Sequence, residues 1–333
     1  MLAGFDPEPL PFARDARVRS GVKLLVHLVR RRPDLVVMEG TGVAGGAALI
    51  LARLLAGIRY VVSSGDAVAP FVAIAHPWLA PLAAAYERLL CRHSDGVIGW
   101  TPYLVGRALT LGAPRGMTAA GWPAVAEAGD RDEIRAELGI PSEAIVFGLV
   151  GKLAWEERIS YCYGLELVRA IRRTERDDLR VLVVGGGDGL ERLREAAGPE
   201  LSRRVILTDQ VPSSEVRRHL AAIDVATLPQ SVDGVGSFRY ATKTAEYLGA
   251  GLPVVTSQIP MAYDLDGGWL WRLPGAAPWD ESHVEALADL MRTIDREQVA
   301  SRAAAVPTDA PEFDRERQRR RVEAFLSDLL AST

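Results

Sequence analysis

Two basic side chains follow an apolar run in the sequence VFGLVGKLAWEER. Lys152 comes directly after this run, which has the length and composition of a buried β-strand, and Arg158 comes six positions later. In open parallel sheets, ligands bind beyond the carboxyl ends of the strands. Two cations at that point could hold a diphosphate and stabilise the negative charge that develops as it leaves a sugar. The same residues could also be solvated surface charges, with Arg158 paired to Glu156 or Glu157.

A second group of polar residues lies in DGVGSFRYATKTAEYLGAGLPVV, residues 233–255. Lys243 and Glu246 are three positions apart and therefore share one face of a predicted helix. A glutamate there can accept hydrogen bonds from both hydroxyls of a ribose. Free backbone N–H groups near Gly236 and Ser237, just before the helix, would suit phosphate oxygens. An ordinary surface Lys–Glu pair is the alternative interpretation.

The elements that position these residues follow from apolar periodicity. Predicted strands cover residues 35–38, 59–63, 96–99, 145–151, 179–185, 205–207, 225–228 and 254–257. Predicted helices cover residues 16–31, 44–55, 79–92, 159–173, 214–222, 242–250 and 312–330, with a further helix start at Thr101 and Pro102. Regular alternation of the two predicts α/β domains with mostly parallel sheets and helices on both faces.

Length and composition restrict the class of protein. A chain of 333 residues suits two domains of about 150 residues each, and its 48% hydrophobic and 25% charged content is typical of packed globular proteins. The 39 basic and 43 acidic residues give a net charge of −4, which argues against a dedicated nucleic-acid-binding protein. Two distant cysteines, Cys91 and Cys162, form neither a disulfide framework nor a zinc-ligand pattern and favour a reducing, cytoplasmic setting.

The motifs of the second half, taken in order, resemble a known family. GLVGK with Arg158, GGGDG at 185–189, AAIDVATLPQS and EYLGAGLPVV are similar to the donor domain of retaining GT-B glycosyltransferases, the fourth family or glycosyl transferases group 1. The resemblance covers residues 145–257 well and residues 32–125 more loosely. It implies two doubly wound Rossmann-like domains facing across a cleft. It also implies transfer of a sugar from a nucleotide-diphosphate donor to an acceptor hydroxyl, with retention of anomeric configuration.

The resemblance assigns roles residue by residue. Lys152 falls where the family usually has an arginine and Arg158 where it has a lysine, so the two charges are exchanged, which alters the hydrogen-bond geometry of the clamp. Glu246 matches the second glutamate of the family's pair and would bind ribose. The first glutamate is replaced by Phe238, and Asp233 is a candidate substitute for it.

The first half departs further from the family pattern. A proline-rich segment and a helix stand where the family has a strand, a glycine-rich loop and a helix, so we expect the first βαβ unit to be missing. Gly65 occupies the position of the family's acceptor-side histidine. Asp66, which follows it, is the candidate to position an acceptor hydroxyl. Lys243 fits a branch of the family with a lysine three positions before the second glutamate.

Two other functions stay open at this point. Residues 40–45 read G-x-G-x-x-G after a predicted strand and at a predicted helix start, and Asp66 lies 21 positions beyond Gly45. This pattern is also typical of NAD-type oxidoreductases, although close helix–strand packing explains the same glycines. The missing first unit and Phe238 would instead suit a non-catalytic subunit that binds nucleotide or supports a partner enzyme.

The sequence therefore predicts an acceptor-side domain at 1–125, a donor-binding domain at 126–310, and a C-terminal helix at 311–333 that packs back toward the first domain. We expect no metal or other cofactor, because the cations themselves would neutralise the diphosphate. The expected partners are a nucleotide-sugar donor and a hydroxyl acceptor, which could be a lipid, a saccharide or a small molecule; no nucleic acid is expected. Arginines at 30–32 and 315–321 could contact anionic lipid, which leaves a peripheral location at the inner membrane face open.

Overall fold

The computed structural model describes residues 5, 7–10, 12, 16–122, 129–240 and 242–332. The chain divides into two compact units. The first comprises Met1–Gly121, Phe238–Tyr240 and Pro311–Thr333, and the second comprises Trp122–Ser237 and Ala241–Ala310. Residues 126–128, the start of the predicted donor-binding domain, lie outside the described residues.

The first unit contains a four-stranded sheet in which all neighbouring strands are parallel. In spatial order the strands are β1 (Val36–Glu39), β2 (Tyr60–Ser64), β3 (Gly96–Gly99) and β4 (Gly116–Thr118). The accompanying helices are α1 (Arg17–Arg31), α2 (Val43–Ala56), α3 (Val68–Ala75), α4 (Ala80–His93) and α5 (Pro102–Thr110).

The second unit contains a six-stranded parallel sheet in the order β10-β9-β8-β5-β6-β7. The strands are β5 (Ile145–Val150), β6 (Leu179–Val184), β7 (Val205–Leu207), β8 (Val225–Leu228), β9 (Val254–Ser257) and β10 (Leu270–Leu273). The helices are α6 (Arg131–Glu137), α7 (Leu165–Ile171), α8 (Leu190–Ala197), α9 (Val216–Leu220), α10 (Thr242–Gly249), α11 (Met261–Asp264), α12 (Glu281–Thr293) and α13 (Arg296–Ala304).

Helices cover both faces of the first sheet. Successive residues of a strand point to opposite faces, so β2 contributes to two apolar clusters. Tyr60 and Val62 pack in a cluster with residues of α1, α2 and α4. Val61 packs on the other face with Val322 and Leu326 of the last helix, α14 (Arg315–Ala331). This helix therefore completes the core of the first unit.

The direction in which the chain adds strands across the second sheet reverses at the central strand, β5. All six residues of β5 are buried, as expected for a strand covered on both faces. The chain proceeds from β5 outward to β6 and β7 and then returns to β8, which pairs with the other edge of β5. In open α/β sheets, such a switch point opens a crevice at the carboxyl ends of the two strands. A ligand would therefore be expected beyond the carboxyl ends of β5 and β8.

The structure agrees with most predicted elements and corrects one that bears on the site. The strands predicted at 96–99, 205–207, 225–228 and 254–257 have the predicted ends. The helix predicted at 159–173 is wrong in its first turn and a half, because α7 begins only at Leu165. Residues 157–160 instead form a turn closed by an antiparallel bridge between Glu156 and Tyr161. Arg158 thus lies on a loop and does not enter a helix.

Candidate functional site

The backbone after β5 is held by the glycine-rich loop that follows β6. Gly151 N–H donates to Val184 O, and Leu153 N–H donates to Gly186 O. A Cβ atom at Gly185 would lie only 1.8 Å from Gly151 O, and one at Gly187 only 2.2 Å from Leu153 O. Both glycines also have positive φ angles, +147° and +152°, which other residues rarely adopt. The GGGDG motif therefore allows two backbones to lie in direct contact beside Lys152.

Lys152 and Arg158 present their side chains to solvent. Both residues are exposed, and neither side chain has a hydrogen bond or ion pair among residues 16–122, 129–240 and 242–332. The alternative pairing of Arg158 with Glu156 or Glu157 does not occur in this structure. Both cations are thus available to an anion, and the loop position of Arg158 gives it more freedom than a helix start would.

A buried tyrosine ties α10 to the end of β5. Val150 N–H donates to Tyr247 Oη at 3.2 Å, and the Tyr247 side chain is fully buried. Burial raises the pKa of Tyr247 above its usual range, so the hydroxyl stays protonated. A Cβ atom built at Gly151 would lie 3.9 Å from Lys243 Cε, an ordinary van der Waals contact. Lys243 therefore reaches the residue that immediately precedes Lys152.

Lys243 and Glu246 share one face of α10, as their spacing predicted. Lys243 Nζ lies 3.1 Å from Glu246 Oε2, and the two side chains are 27% and 21% exposed. The Lys–Glu pair of the alternative interpretation is therefore formed, with both side chains partly buried. The pair nevertheless stands at the switch point, because Tyr247, the residue after Glu246, is bonded to β5. A cation and a hydrogen-bond acceptor are brought to the end of β5 together.

The amides of Gly236 and Ser237 are not free, which corrects the sequence-based expectation. Val235 N–H and Gly236 N–H each donate to Asp233 Oδ1 at 2.8 Å, and Ser237 N–H donates to Asp233 O at 3.1 Å. Asp233 therefore closes the turn that leads into a short 3-10 helix, Gly236–Phe238. An incoming phosphate would have to displace this carboxylate, and Asp233 would have to leave the turn to contact a sugar.

Asp66 lies in the first unit, just after β2. Its backbone N–H and carbonyl both hydrogen-bond to Ser64 Oγ, which shapes the turn. The half-exposed carboxylate accepts a hydrogen bond from Arg239 Nε at 2.5 Å. Arg239 belongs to the segment that groups with the first unit, where Thr101 Oγ1 donates to Phe238 O at 2.7 Å. Arg239 is not recognisable as a site residue from the sequence, because 173 positions separate it from Asp66 and neither spacing nor periodicity connects them.

Gly65 has no room for a side chain. A Cβ atom there would lie 2.4 Å from the ring of Trp100. The tryptophan ring therefore covers the backbone beside Asp66 and excludes any larger residue, such as the histidine implied by the resemblance.

The loop at 40–45 and the first turn of α2 lie against α4. Tyr86 Oη of α4 hydrogen-bonds to Thr41 O and Gly42 O, and a Cβ atom at the neighbouring Gly46 would lie 2.0 Å from the same hydroxyl oxygen. The loop and the start of α2 are thus held closely against α4. The tight packing concerns Gly46 and not the motif glycines: a Cβ atom at Gly40 or Gly42 would have no atom within 4 Å, and one at Gly45 would make only ordinary contacts, although the φ of +82° at Gly40 favours glycine.

Two family models match most of the chain. The model described as Glycosyl transferases group 1 matches residues 144–293, and the model described as Glycosyl transferase 4-like domain matches residues 4–120. The chain belongs to the group 1 glycosyltransferases. Membership in this family makes glycosyl transfer its general activity. Among curated proteins, no significant match was found.

Solved structures share the architecture of this group 1 glycosyltransferase. A sucrose-phosphate synthase from Thermosynechococcus elongatus is 15% identical, with a TM-score of 0.66 over 98% of this chain and 82% of the other. Anabaena HepE in complex with UDP and glucose is 17% identical, with a TM-score of 0.68 over 96% and 84%. A UDP-forming trehalose-phosphate synthase from Burkholderia vietnamiensis is 14% identical, with a TM-score of 0.65 over 97% and 79%. These likenesses confirm the predicted GT-B fold class.

A buried glutamate, Glu166, supports the loop that carries Arg158 and was not predicted from the sequence. Glu166 of α7 is almost fully buried, and its carboxylate accepts hydrogen bonds from Tyr161 Oη at 2.8 Å and Gly164 N–H at 3.0 Å. Burial raises the pKa of this carboxyl to about 7. These bonds fix the end of the loop that carries Arg158. The sequence signal is weak, since a lone glutamate in a helix is usually a surface residue.

The described ranges contain two Asp-x-Asp pairs, and one member of each has a structural role. Asp130 and Asp132 form an Asp-x-Asp pair, but Asp130 caps α6 through the N–H groups of Asp132 and Glu133. Asp266, in a second such pair, binds Arg272. Among the residues that the structure describes, no group of three His, Cys, Asp or Glu side chains could hold a metal ion. No helix in those ranges combines the length and apolar character that crossing a bilayer requires.

Proposed function

We propose that this group 1 glycosyltransferase transfers a sugar from a nucleotide-diphosphate donor to an acceptor hydroxyl with retention of configuration. The observation that supports it is the bond between Val150 and Tyr247, which brings Lys243 and Glu246 to the end of β5 beside Lys152. Three features needed for donor binding then meet at one switch point: cations for the diphosphate, a hydrogen-bond acceptor for the ribose hydroxyls, and a further cation, Arg158, on the loop after β5.

The cations act on the leaving group. As the bond between the anomeric carbon and the diphosphate breaks, Lys152, Arg158 and Lys243 stabilise the charge on the departing oxygen. The acceptor oxygen bonds to the anomeric carbon from the same face, and its proton passes to the departing phosphate oxygen. No metal is needed in this scheme, since the lysines and the arginine supply the positive charge.

Glu246 exchanges partners when the donor binds. In the free protein its carboxylate accepts a hydrogen bond from Lys243 Nζ. With the donor present, Lys243 turns to a phosphate oxygen, and Glu246 accepts hydrogen bonds from the ribose hydroxyls. After the exchange Lys243 is paired with a phosphate charge and Glu246 is hydrogen-bonded by the two hydroxyls, so neither charged group is left without a partner.

Asp66 is proposed to orient the acceptor hydroxyl. Arg239 Nε holds its carboxylate and leaves the second carboxylate oxygen for the acceptor. The acceptor class, whether lipid, saccharide or small molecule, does not follow from this contact. Asp233, Gly236 and Ser237 are proposed to contact the donor only after the Asp233 turn opens.

Calorimetry with nucleoside diphosphates tests the proposal. UDP is the first ligand to titrate, because the HepE structure holds UDP, and GDP and ADP follow. Lys152→Ala and Glu246→Ala should each weaken binding about ten-fold or more, as expected for loss of a charged hydrogen-bond partner. Glu195→Ala, on an exposed face of α8, is the matched control and should bind as the wild type does.

Three results would contradict the proposal. Unchanged affinity in both site variants would exclude this donor site. Tight NAD binding with no diphosphate binding would instead favour the oxidoreductase. Diphosphate binding with donor turnover only after a second protein is added would favour the non-catalytic subunit.

A further inference from the structure

The first helix has an unusual combination of charge and exposure. α1 reads RVRSGVKLLVHLVRR and contains five Arg or Lys residues and no acidic residue. Three of its valines point to solvent at a spacing of four residues: Val18 is 78% exposed, Val22 58% and Val26 43%. Together these valines form a contiguous apolar ridge, whereas single apolar residues scattered over a surface are normal.

Packing determines which face of α1 is exposed. Gly21 and Leu28 are buried, and a Cβ atom at Gly21 would lie 2.8 Å from Ala44 O of α2. α1 is therefore pressed against α2 along this side and cannot rotate to bury the valines. Arg19, Lys23 and Arg30 are exposed as well and lie on the valine side of the helix. The outward face is thus a mixture of apolar and cationic side chains.

We propose that this face of α1 docks on an anionic lipid surface. A basic helix with an apolar ridge lies in the plane of a bilayer interface, with its apolar side chains inserted and its cations among the headgroup phosphates. Long Arg and Lys side chains can extend to the headgroups while the valines enter the acyl boundary. The positive charge of this face favours an anionic lipid surface as its partner, because such a surface presents negative charge to all of the cations at the same time.

A second copy of the same face is a poor occupant. A two-fold contact would place the cations of one α1 against those of the other, and α1 has no carboxylate to pair with them.

The arginine cluster of α14 does not combine exposed cations with exposed apolar side chains as α1 does. Arg319 is paired with Glu316 and Glu323, and no large apolar side chain of α14 is exposed in the described residues. Of the two arginine groups recognised in the sequence, that of α1 is the docking element.

Vesicle sedimentation of the full chain tests the proposal. The wild type should sediment with vesicles of phosphatidylcholine plus phosphatidylglycerol, and not with phosphatidylcholine alone. Binding should weaken as salt is raised, because the cations act through screened charge. The variant Arg19→Gln, Lys23→Gln, Arg30→Gln should bind on the order of 100-fold more weakly. Val22→Ser with Val26→Ser should lower binding roughly ten-fold at unchanged charge.

The matched control removes the same charge from α14. Arg315→Gln, Arg317→Gln, Arg320→Gln should bind anionic vesicles as the wild type does. Circular dichroism and melting curves should be alike for all variants, since every substituted residue is exposed. The proposal is overturned if the wild type ignores anionic vesicles, or if the α14 control loses as much binding as the α1 variant. It is also overturned if sedimentation equilibrium shows a dimer that the valine variant dissociates. Donor binding by calorimetry is independent of this result.

Discussion

Tyr247 Oη accepts a hydrogen bond from Val150 N–H at 3.2 Å, and through this contact α10 is held at the carboxyl end of β5. The two residues are 97 positions apart in the chain. The bond joins the strand that ends beside Lys152 to the helix that carries Lys243 and Glu246. Removing it should disturb both stability and donor binding.

Tyr247→Phe leaves the buried Val150 N–H without a partner and should lower the free energy of unfolding by about 1–3 kcal/mol. Nucleoside diphosphate affinity should also fall, because α10 loses its fixed distance from β5. Denaturant unfolding and calorimetry measure the two effects. Tyr263→Phe is the control, since Tyr263 is largely exposed and keeps its ring against Arg272. If Tyr247→Phe proved as stable as this control, α10 would not depend on the bond.

Glu166 should make stability fall as the pH rises. Its pKa is raised from 4.5 to about 7 in the folded chain, so the folded state binds more protons than the unfolded state between these values. The free energy of unfolding should therefore be highest below about pH 4.5 and decrease by on the order of 3 kcal/mol toward pH 7, as far as this residue contributes.

Glu166→Gln removes the titrating group and keeps the shape of the side chain. As the pH rises from 5 to 8, the wild type should lose unfolding free energy relative to Glu166→Gln. Urea unfolding across this range is the measurement, with the exposed Glu195→Gln as control. A wild type whose stability rises relative to the variant would show that the carboxylate is ionised at little cost.

Gly185→Ala should be strongly destabilising. The added Cβ would lie 1.8 Å from Gly151 O at a φ of +147°, so the loops after β5 and β6 would have to separate. We expect a loss of more than about 3 kcal/mol and a matching loss of nucleotide binding. Gly106→Ala in α5 has nothing within 4 Å of the added atom and should stabilise by about 0.5–1 kcal/mol. Equal melting temperatures for the two variants would contradict this interpretation of the GGGDG motif.

Asp66 and Arg239 should matter for turnover and little for stability. Their ion pair is exposed, with side chains 50% and 28% accessible, so each single substitution should change unfolding by no more than about 1 kcal/mol. Asp66→Asn and Arg239→Gln should each lower kcat and leave nucleoside diphosphate affinity unchanged. A double-mutant cycle on kcat would detect their coupling. If the two effects on kcat simply add, Arg239 does not position Asp66.

Much of the fold was accessible from local patterns. Short apolar runs such as Val225–Leu228 and Val254–Ser257 are buried on both faces, and their composition alone marks them as strands of a parallel sheet. The helix predicted at 159–173 was wrong over its first residues for a different reason. Residues 159–164 have helical spacing, but the bonds of Glu166 to Tyr161 and Gly164 hold this stretch as a loop. Short-range hydrogen bonds to a buried side chain outweighed helix propensity there.

The sequence by itself determined the family, the parallel α/β architecture and the residue types of the candidate donor site, because these depend on local periodicity and on ordered motifs. Only the tertiary structure decided which charges are paired and which are free. It placed Arg239 on Asp66, occupied the Gly236 and Ser237 amides with Asp233, and left Lys152 and Arg158 exposed. The contact of Arg239 with Asp66 joins segments 173 positions apart, and no local pattern contains that information. The Asp233 turn is local, but whether its carboxylate or solvent takes the amides depends on the folded loop.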